Sequence, residues 1–427
     1  MNPGRQSPRN YPLLLVGQFL GAFGDNFLLA AVLGPLTYEL NTGRITETVV
    51  NGENALFGLV FSLPFIVLAP LAGYINDRMP KTSWLVGGNA IKLLGTAIGL
   101  AGLLARGGAR AHAVQVFAYF VVGVGACAYS PAKYGILPEI VPNERLVKAN
   151  GTVEMLTLVA IVTGLMGGGV LYDVTRSVPE CYVACGALYG CALFCNAAMG
   201  RTPHNRDASL LHSAGQFASS FISMVRSPRL GRILLGSALF WFAGSTLKSA
   251  LQGWGLRVFS EAGVGHVTNL KLVLLKVGMV AGIVLGSFLA GQLHRTGDLS
   301  WARRYAFLMA AGLAGLGLLG GHFGLALVVL VLVVTGAAAG LLIVPFNAAL
   351  QSETDPAKLG KTVSIQNCTD YVGIAVGAAY LALLSRMDLN PNQDMMVLGA
   401  TVAAITLGLG VLNRALEPQA SGSQPGS

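Results

Sequence analysis

The chain has 427 residues, of which 53% are hydrophobic and only 11% charged, with a mean hydropathy of +0.63 and a formal net charge of +9. A water-soluble domain carries roughly a quarter charged residues, so this composition excludes an ordinary soluble globule and points to a chain whose solvent is lipid. The positive charge does not indicate a nucleic-acid partner, because the Lys and Arg residues sit in short connections and form no single basic face. Contact with anionic lipid headgroups accounts for them.

Apolar stretches of about 20 residues, the length that crosses a bilayer, recur twelve times, centred near residues 25, 65, 94, 126, 160, 190, 242, 281, 312, 337, 373 and 404. Each is long and continuous and not a ten-residue alternation, so helices are expected rather than a membrane barrel. Eighteen Lys and Arg residues fall in connections on the N-terminal side of the membrane and six on the other. That bias places both termini in the cytoplasm.

The first run, Tyr11 to Tyr38, contains Asp25 and Asn26 within Phe23-Gly24-Asp25-Asn26. A charge at bilayer depth is costly and normally faces a polar interior, which makes Asp25 a candidate functional residue. The run is too long for a cleaved leader and lacks a small-residue cleavage site, so it is read as a retained helix. Lys92 in the third run and Lys276 in the eighth are also deep. Pro131 and Gly135 are expected to bend or thin the end of the fourth helix beside Lys133. On the fifth, Asn150, Glu154 and Thr157 share a polar stripe.

Cys181, Cys185, Cys191 and Cys195 in the sixth run lack a Cys-x-x-Cys or a nearby His, so they read as small apolar residues and not as a metal set. Residues 201–228 form the longest polar connection and separate a first half, 1–200, from a second, 229–416. Lys248 in the seventh run shares a face with Ser245 and Gln252. Glycines such as Gly167, Gly168 and Gly169, and Gly282 with Gly286, provide small faces for close helix packing. Gln366, Asn367 and Asp370 make a second polar stripe on the eleventh run, and the tail, 417–427, is expected to be disordered.

The halves repeat weakly. Leu137-Pro138-Glu139 to Lys148 resembles Leu350-Gln351-Ser352-Glu353 to Lys361, with Pro142 and Pro356 inside the two loops. This register sets Asn367 opposite Glu154, and setting Gly17 on Gly236 brings Asp25 and Lys248 to similar depth. Parallel repeats of this kind typify transporters whose site lies between halves. The expected fold is an all-α membrane protein of twelve transmembrane helices in two six-helix pseudo-repeats.

The loop Gly73-Tyr74-Ile75-Asn76-Asp77-Arg78-Met79-Pro80-Lys81 resembles the cytoplasmic loop motif of the major facilitator superfamily. That resemblance implies that Gly73 permits close helix contact, that Asp77 caps or pairs across helices, and that Arg78 and Lys81 complete a conformational element. Three further segments are similar to the bacterial lysophospholipid transporter branch: Phe23-Gly24-Asp25-Asn26, Gly123 to Leu137 with its Ser130-Pro131-Ala132-Lys133-Tyr134-Gly135, and Leu146 to Gly151 with Glu154. The resemblance implies movement of lysophosphatidylethanolamine or lysophosphatidylglycerol from the outer to the inner leaflet of a bacterial inner membrane. It implies no cofactor, a monomer among membrane lipids, and re-acylation by a separate cytoplasmic acyltransferase/acyl-carrier-protein synthetase. Lys133 becomes a candidate headgroup contact, with snorkelling to the membrane surface as the alternative.

Asp25 and Asn26 on one side and Lys248 on the other could supply the opposite charges that such a headgroup needs; the family carries Arg at the Lys248 position, and Lys lacks its bidentate fork. A gating or structural ion pair between Asp25 and Lys248 is the alternative to ligand contact. The polar stripes of Asn150, Glu154, Gln366, Asn367 and Asp370 either line the cavity or bond between helices. An ion-coupled carrier of small solutes or drugs is the alternative within transport, with Asp25, Glu154 or Asp370 binding a proton. Enzymatic activity is not expected, since there is no His-x4-Asp pair, nucleophile elbow, phosphate loop or His-Glu-x-x-His.

Overall fold

The computed structural model describes residues 9–45, 47–105, 109–200, 210–264, 269–384, 386–387 and 389–421. Among them the chain is helical, with no strand. The helices are α1 (Asn10–Asn41), α2 (Glu47–Val67), α3 (Ala69–Arg78), α4 (Lys81–Ala105), α5 (Ala109–Gly135), α6 (Leu137–Ile140), α7 (Leu146–Thr175) and α8 (Val178–Ala197). They continue as α9 (Leu210–Arg226), α10 (Pro228–Glu261), α11 (Asn269–Leu293), α12 (Ala302–Leu319), α13 (Leu325–Glu353), α14 (Leu359–Leu384) and α15 (Pro391–Ser421).

Ten of these are long and apolar enough to cross a membrane, and α2 with α3, bent by 57° at their break, makes an eleventh. Pro70, in the first turn of α3, has no N–H to continue the ladder of α2, which accounts for the bend. Each of the twelve expected centres falls inside a helix, residue 312 in the shorter α12, whose first turn carries Arg303 and Arg304. Large apolar side chains such as Leu104, Val174 and Phe194 are more than 70% exposed, as lipid-facing surfaces require.

The connections carry helix of their own. The polar linker contains α9; residues 201–209 lie outside the described set. The tail is helical through Ser421; residues 422–427 lie outside the described set.

Two compact units follow the halves over most of their length, with two exceptions. The first is Met1–Pro142 with Leu156–Phe217 and Thr354–Asn367; the second is Asn143–Met155 with Ala218–Glu353 and Cys368–Ser427. The sequence repeat is a structural one. Each repeated segment passes through a 3-10 turn, Asn143–Arg145 or Pro356–Lys358, into a long helix, α7 or α14.

Small residues set the packing in both units. In the first, Gly164 and Gly168 of α7 lie against the carbonyls of Phe23 and Phe27 on α1. In the second, Gly282 and Gly286 of α11 meet the carbonyls of Val333 and Ala337, while Gly336 and Gly340 of α13 meet those of Met279 and Ile283. Such backbone approach supplies the van der Waals contact that holds helices together in lipid. Gly286→Val, which drives a side chain into the Ala337 carbonyl, is expected to cost about 1–3 kcal/mol and to lower the melting temperature of the detergent-solubilised protein. Gly169→Val, where the space in front is open, leaves it unchanged.

Candidate functional site

The deepest charge of the first unit is compensated within that unit. Asp25 is 8% exposed and Lys92 2%. Asp25 Oδ2 accepts from Lys92 Nζ at 2.7 Å, and Oδ1 accepts from the Tyr189 hydroxyl at 2.8 Å. The Tyr119 hydroxyl donates to the Asp25 carbonyl at 3.1 Å. The Lys92 ammonium lies 5.5 and 5.6 Å from the ring centroids of Tyr129 and Tyr189, within cation–π range. Gly24 makes room for Tyr189, whose ring would stand 2.7 Å from a Cβ there. Asp25 and Lys92 together therefore tie α1, α4, α5 and α8.

The other predicted residues of this unit fall elsewhere. Asn26 turns back on its own helix, its Nδ2 donating to the Ala22 carbonyl at 2.9 Å. Lys133 lies over the Tyr134 ring at 4.3 Å. Gln366 is buried, and Asn367 donates to Ser130 Oγ at 3.0 Å. Ser130 belongs to the Ser-Pro-Ala-Lys-Tyr-Gly run, so that signature is tied to α14.

The loop motif forms the second part of the site. A Cβ on Gly73 would lie 2.9 Å from Lys361 Cα, so only glycine lets α14 begin this close. Asp77 then accepts from the backbone N–H of Gly360 at 2.7 Å and of Lys361 at 3.2 Å. A helix start carries unpaired N–H groups and partial positive charge, and Asp77 satisfies both from a separate helix. Lys81, 3% exposed, pairs with Glu139, and Gly135 packs on its stem. Arg78 donates to the Tyr74 hydroxyl at 2.7 Å.

In the second unit Asn150 and Gln351 exchange hydrogen bonds of 2.8 and 2.9 Å. Asp370 accepts from Ser237 Oγ at 2.6 Å, with the Trp241 indole as a further donor and Glu154 within electrostatic range. Both carboxylates are buried. Lys248 is exposed, and its ammonium has no hydrogen bond or ion pair among the described residues. Its helix neighbour Ser245 bonds the Phe242 carbonyl, and the side chain of Gln252 lies outside the described residues.

Sequence reasoning named Asp25, Lys81, Asp370 and Asn150, but not their partners, Tyr189 and Tyr119, Glu139, Ser237 and Gln351. For Tyr189 a signal exists: it follows Tyr182 by seven residues on the face that carries Cys181 and Cys185, all four buried. The other partners have no local signature.

These features, two helical units with buried charges and a capped loop motif, define a carrier of the multi-span kind. Residues 14–378 match the family model of the Major Facilitator Superfamily. Among solved structures the fold is similar to the human organic anion transporter MFSD10 (TM-score 0.75, 15% identity, 95% of this chain and 99% of that one). It is also similar to the FucP transporter in its outward conformation (TM-score 0.68, 14% identity, 95% and 98%).

Among curated proteins the chain is 30% identical over 414 residues to the lysophospholipid transporter LplT of Photorhabdus laumondii, covering 95% of this chain and 96% of that one. It is 31% identical over 403 residues to LplT of Escherichia coli, covering 93% and 92%. It is 33% identical over 367 residues to LplT of Pectobacterium carotovorum, covering 84% and 82%. The chain belongs to the lysophospholipid transporter family of the Major Facilitator Superfamily, a family of multi-span membrane transporters and not of enzymes.

Two outcomes follow from the geometry. Lys92→Met leaves the Asp25 carboxylate buried without its cation, which is expected to cost about 3–5 kcal/mol; thermal denaturation should show most of that loss recovered in the double variant Asp25→Asn/Lys92→Met. Asp77→Ala removes the cap of α14, worth about 1 kcal/mol. Hydrogen exchange at the Gly360 and Lys361 amides is expected to quicken while exchange in α4 stays unchanged.

Proposed function

We propose that the chain is a lysophospholipid flippase of a bacterial inner membrane, with both termini in the cytoplasm and twelve spans. Its substrates are lysophosphatidylethanolamine and lysophosphatidylglycerol, moved from the outer to the inner leaflet by alternating access with a lateral opening. Relatives of almost the same length, named for lysophospholipid, support the substrate class. Re-acylation then falls to a separate cytoplasmic acyltransferase/acyl-carrier-protein synthetase.

The observation that carries this reading is the charge left over at Lys248. Asp25 is already satisfied by Lys92 and Tyr189, whereas Lys248 has no anion among the described residues. An ammonium without a counter-charge is stabilised by an anion placed beside it, and a lysophospholipid brings one as its phosphate. On this reading Lys248 meets the phosphate, and Asp25 is a candidate contact within the first unit. Asn26, Lys133, Asn150, Glu154, Gln366, Asn367 and Asp370 are secondary candidates along the route. Gly73, Asp77, Arg78 and Lys81 act on conformation.

A second reading rests on Glu154 and Asp370, two buried carboxylates within electrostatic range of one another. Like charges in a dry site favour sharing a proton, as an ion-coupled carrier would use. Transfer of labelled lysophosphatidylethanolamine in liposomes containing the purified chain, with and without an imposed proton gradient, separates the two. The flippase reading expects gradient-independent transfer that falls about tenfold or more in Lys248→Ala, the worth of a charge-assisted hydrogen bond. Strict gradient dependence selects the ion-coupled carrier, and wild-type transfer by Lys248→Ala removes the phosphate role from that residue.

A further inference from the structure

A cavity of about 590 Å³ opens within the second unit where α10 and α12 begin. None of Lys248, Glu154 or Asp370 lines it. Its wall runs along α10 from Arg229 through Arg232 and Gly236 to Leu239, and is closed by the first turn of α12 and by α13 and α15.

The charges at its rim do not cancel. Arg229 is taken up by Glu353, with two contacts of 2.6 Å, and donates to the Gly297 carbonyl at 2.7 Å. Asp298 accepts from the Ser300 N–H at 3.0 Å and faces His294 at 3.7 Å; the Ser300 bond first, then His294, holds its carboxyl below the usual carboxylate range. Arg304, just outside, stacks on Trp301 at 4.3 Å. Arg232 and Arg303 remain. Neither has a hydrogen bond or ion pair among the described residues, and Nε of Arg232 is buried without an acceptor. A buried guanidinium N–H without an acceptor loses its hydration for nothing. The first turn of α12 receives no side-chain cap either, so its N–H groups add to the positive rim.

The inner end is different in kind. Leu239, Leu342, Phe346 and Leu409 line it. Leu239 lies two helical turns, about 10 Å, beyond Arg232. The Phe346 ring would stand 2.5 Å from a Cβ on Gly236, so glycine keeps the passage from rim to floor open. A cationic mouth on an apolar slot matches a ligand with a phosphate at one end and a hydrocarbon at the other.

We propose that this cavity binds a phosphate anion through Arg232 and Arg303, and that the apolar floor selects the phosphate of an anionic phospholipid, whose acyl chain enters the slot. Guanidinium groups suit this task because their fork takes two phosphate oxygens at once. Free inorganic phosphate is the other source of the same anion. The site is separate from the transported headgroup at Lys248, so it does not depend on the flippase reading.

The test is a thermal-shift titration of the full purified chain in detergent with three probes: short-chain phosphatidylglycerol, dioctanoylglycerol and inorganic phosphate. Phosphatidylglycerol is expected to raise the melting temperature saturably, and dioctanoylglycerol, which lacks the phosphate, is not. Arg232→Gln/Arg303→Gln should weaken the response about tenfold or more, and so should Arg303→Glu alone, an exposed first-turn substitution that the fold tolerates. Arg304→Gln should leave it intact. A phosphate response lost in the same variants assigns the site to the free anion, and silence with phosphate assigns it to the lipid. An absent phosphatidylglycerol response in the wild type, or one equal in wild type and both variants, overturns the proposal. Since no transfer is measured, the outcome stands apart from whether the chain moves lysophospholipid.

Discussion

In hydrocarbon a charge must find its counter-charge inside the protein, and the Asp25–Lys92 pair with Tyr189 is where this chain meets that demand most fully. The 2.7 Å contact spans 67 residues of sequence, and the Tyr189 contact spans 164. Both span distances that no local structure could bridge. The pair therefore fixes which faces of α1, α4 and α8 meet, and Gly24 exists to let the tyrosine reach it. A buried pair of this quality contributes less to net stability than to specificity, because desolvation consumes most of the Coulomb gain. What it supplies is a single correct arrangement of four helices.

The same logic operates at the helix starts. Lys361 of α14 backs onto Gly73, and Lys148 of α7 backs onto Gly291, each at 2.9 Å from the place of a Cβ. The two lysines are equivalent in the internal repeat, so duplicated chain has kept a duplicated contact. The chemistry around them has diverged. The first unit caps α14 with the Asp77 carboxylate, whereas in the second Thr296 Oγ1 donates to the Asn143 carbonyl at 2.6 Å and Asn150 exchanges bonds with Gln351. A carboxylate on a helix N-terminus carries charge that a hydroxyl lacks. The two joints thus share a close backbone approach, but Asp77 accepts from the N–H groups that open α14 whereas the Thr296 hydroxyl donates to a carbonyl.

Charge is also divided between the units. The first neutralises its deep residues internally, through Asp25 with Lys92 and Lys81 with Glu139. Among the described residues the second leaves cations over at Lys248 on α10 and at Arg232 and Arg303 around its cavity. An excess of unpaired cations beside apolar surface is suited to ligands that carry phosphate on hydrocarbon.

Much of the fold was legible in the chain itself, because hydropathy over 20 residues is a local property and lipid enforces it. All twelve expected centres lie in helices, the 137–148 and 350–361 repeat became two matching turn-helix joints, and Asp77 caps a helix as its motif implied. Asp25 stood out because a carboxylate in an apolar run has few innocent explanations. Its partner did not stand out. Depth alone made Lys248 a reasonable counter-ion, whereas the structure satisfies Asp25 from Lys92 and Tyr189, because pairing depends on which helices are neighbours and how each is rotated. The same reason hid the membership of 143–155 in the second unit and 354–367 in the first. Sequence determined which segments enter the membrane and which residues are too costly to be idle there; tertiary structure decided which of those residues face each other, since lateral order and rotation of helices are set by long-range packing and leave no mark on the period of any one of them.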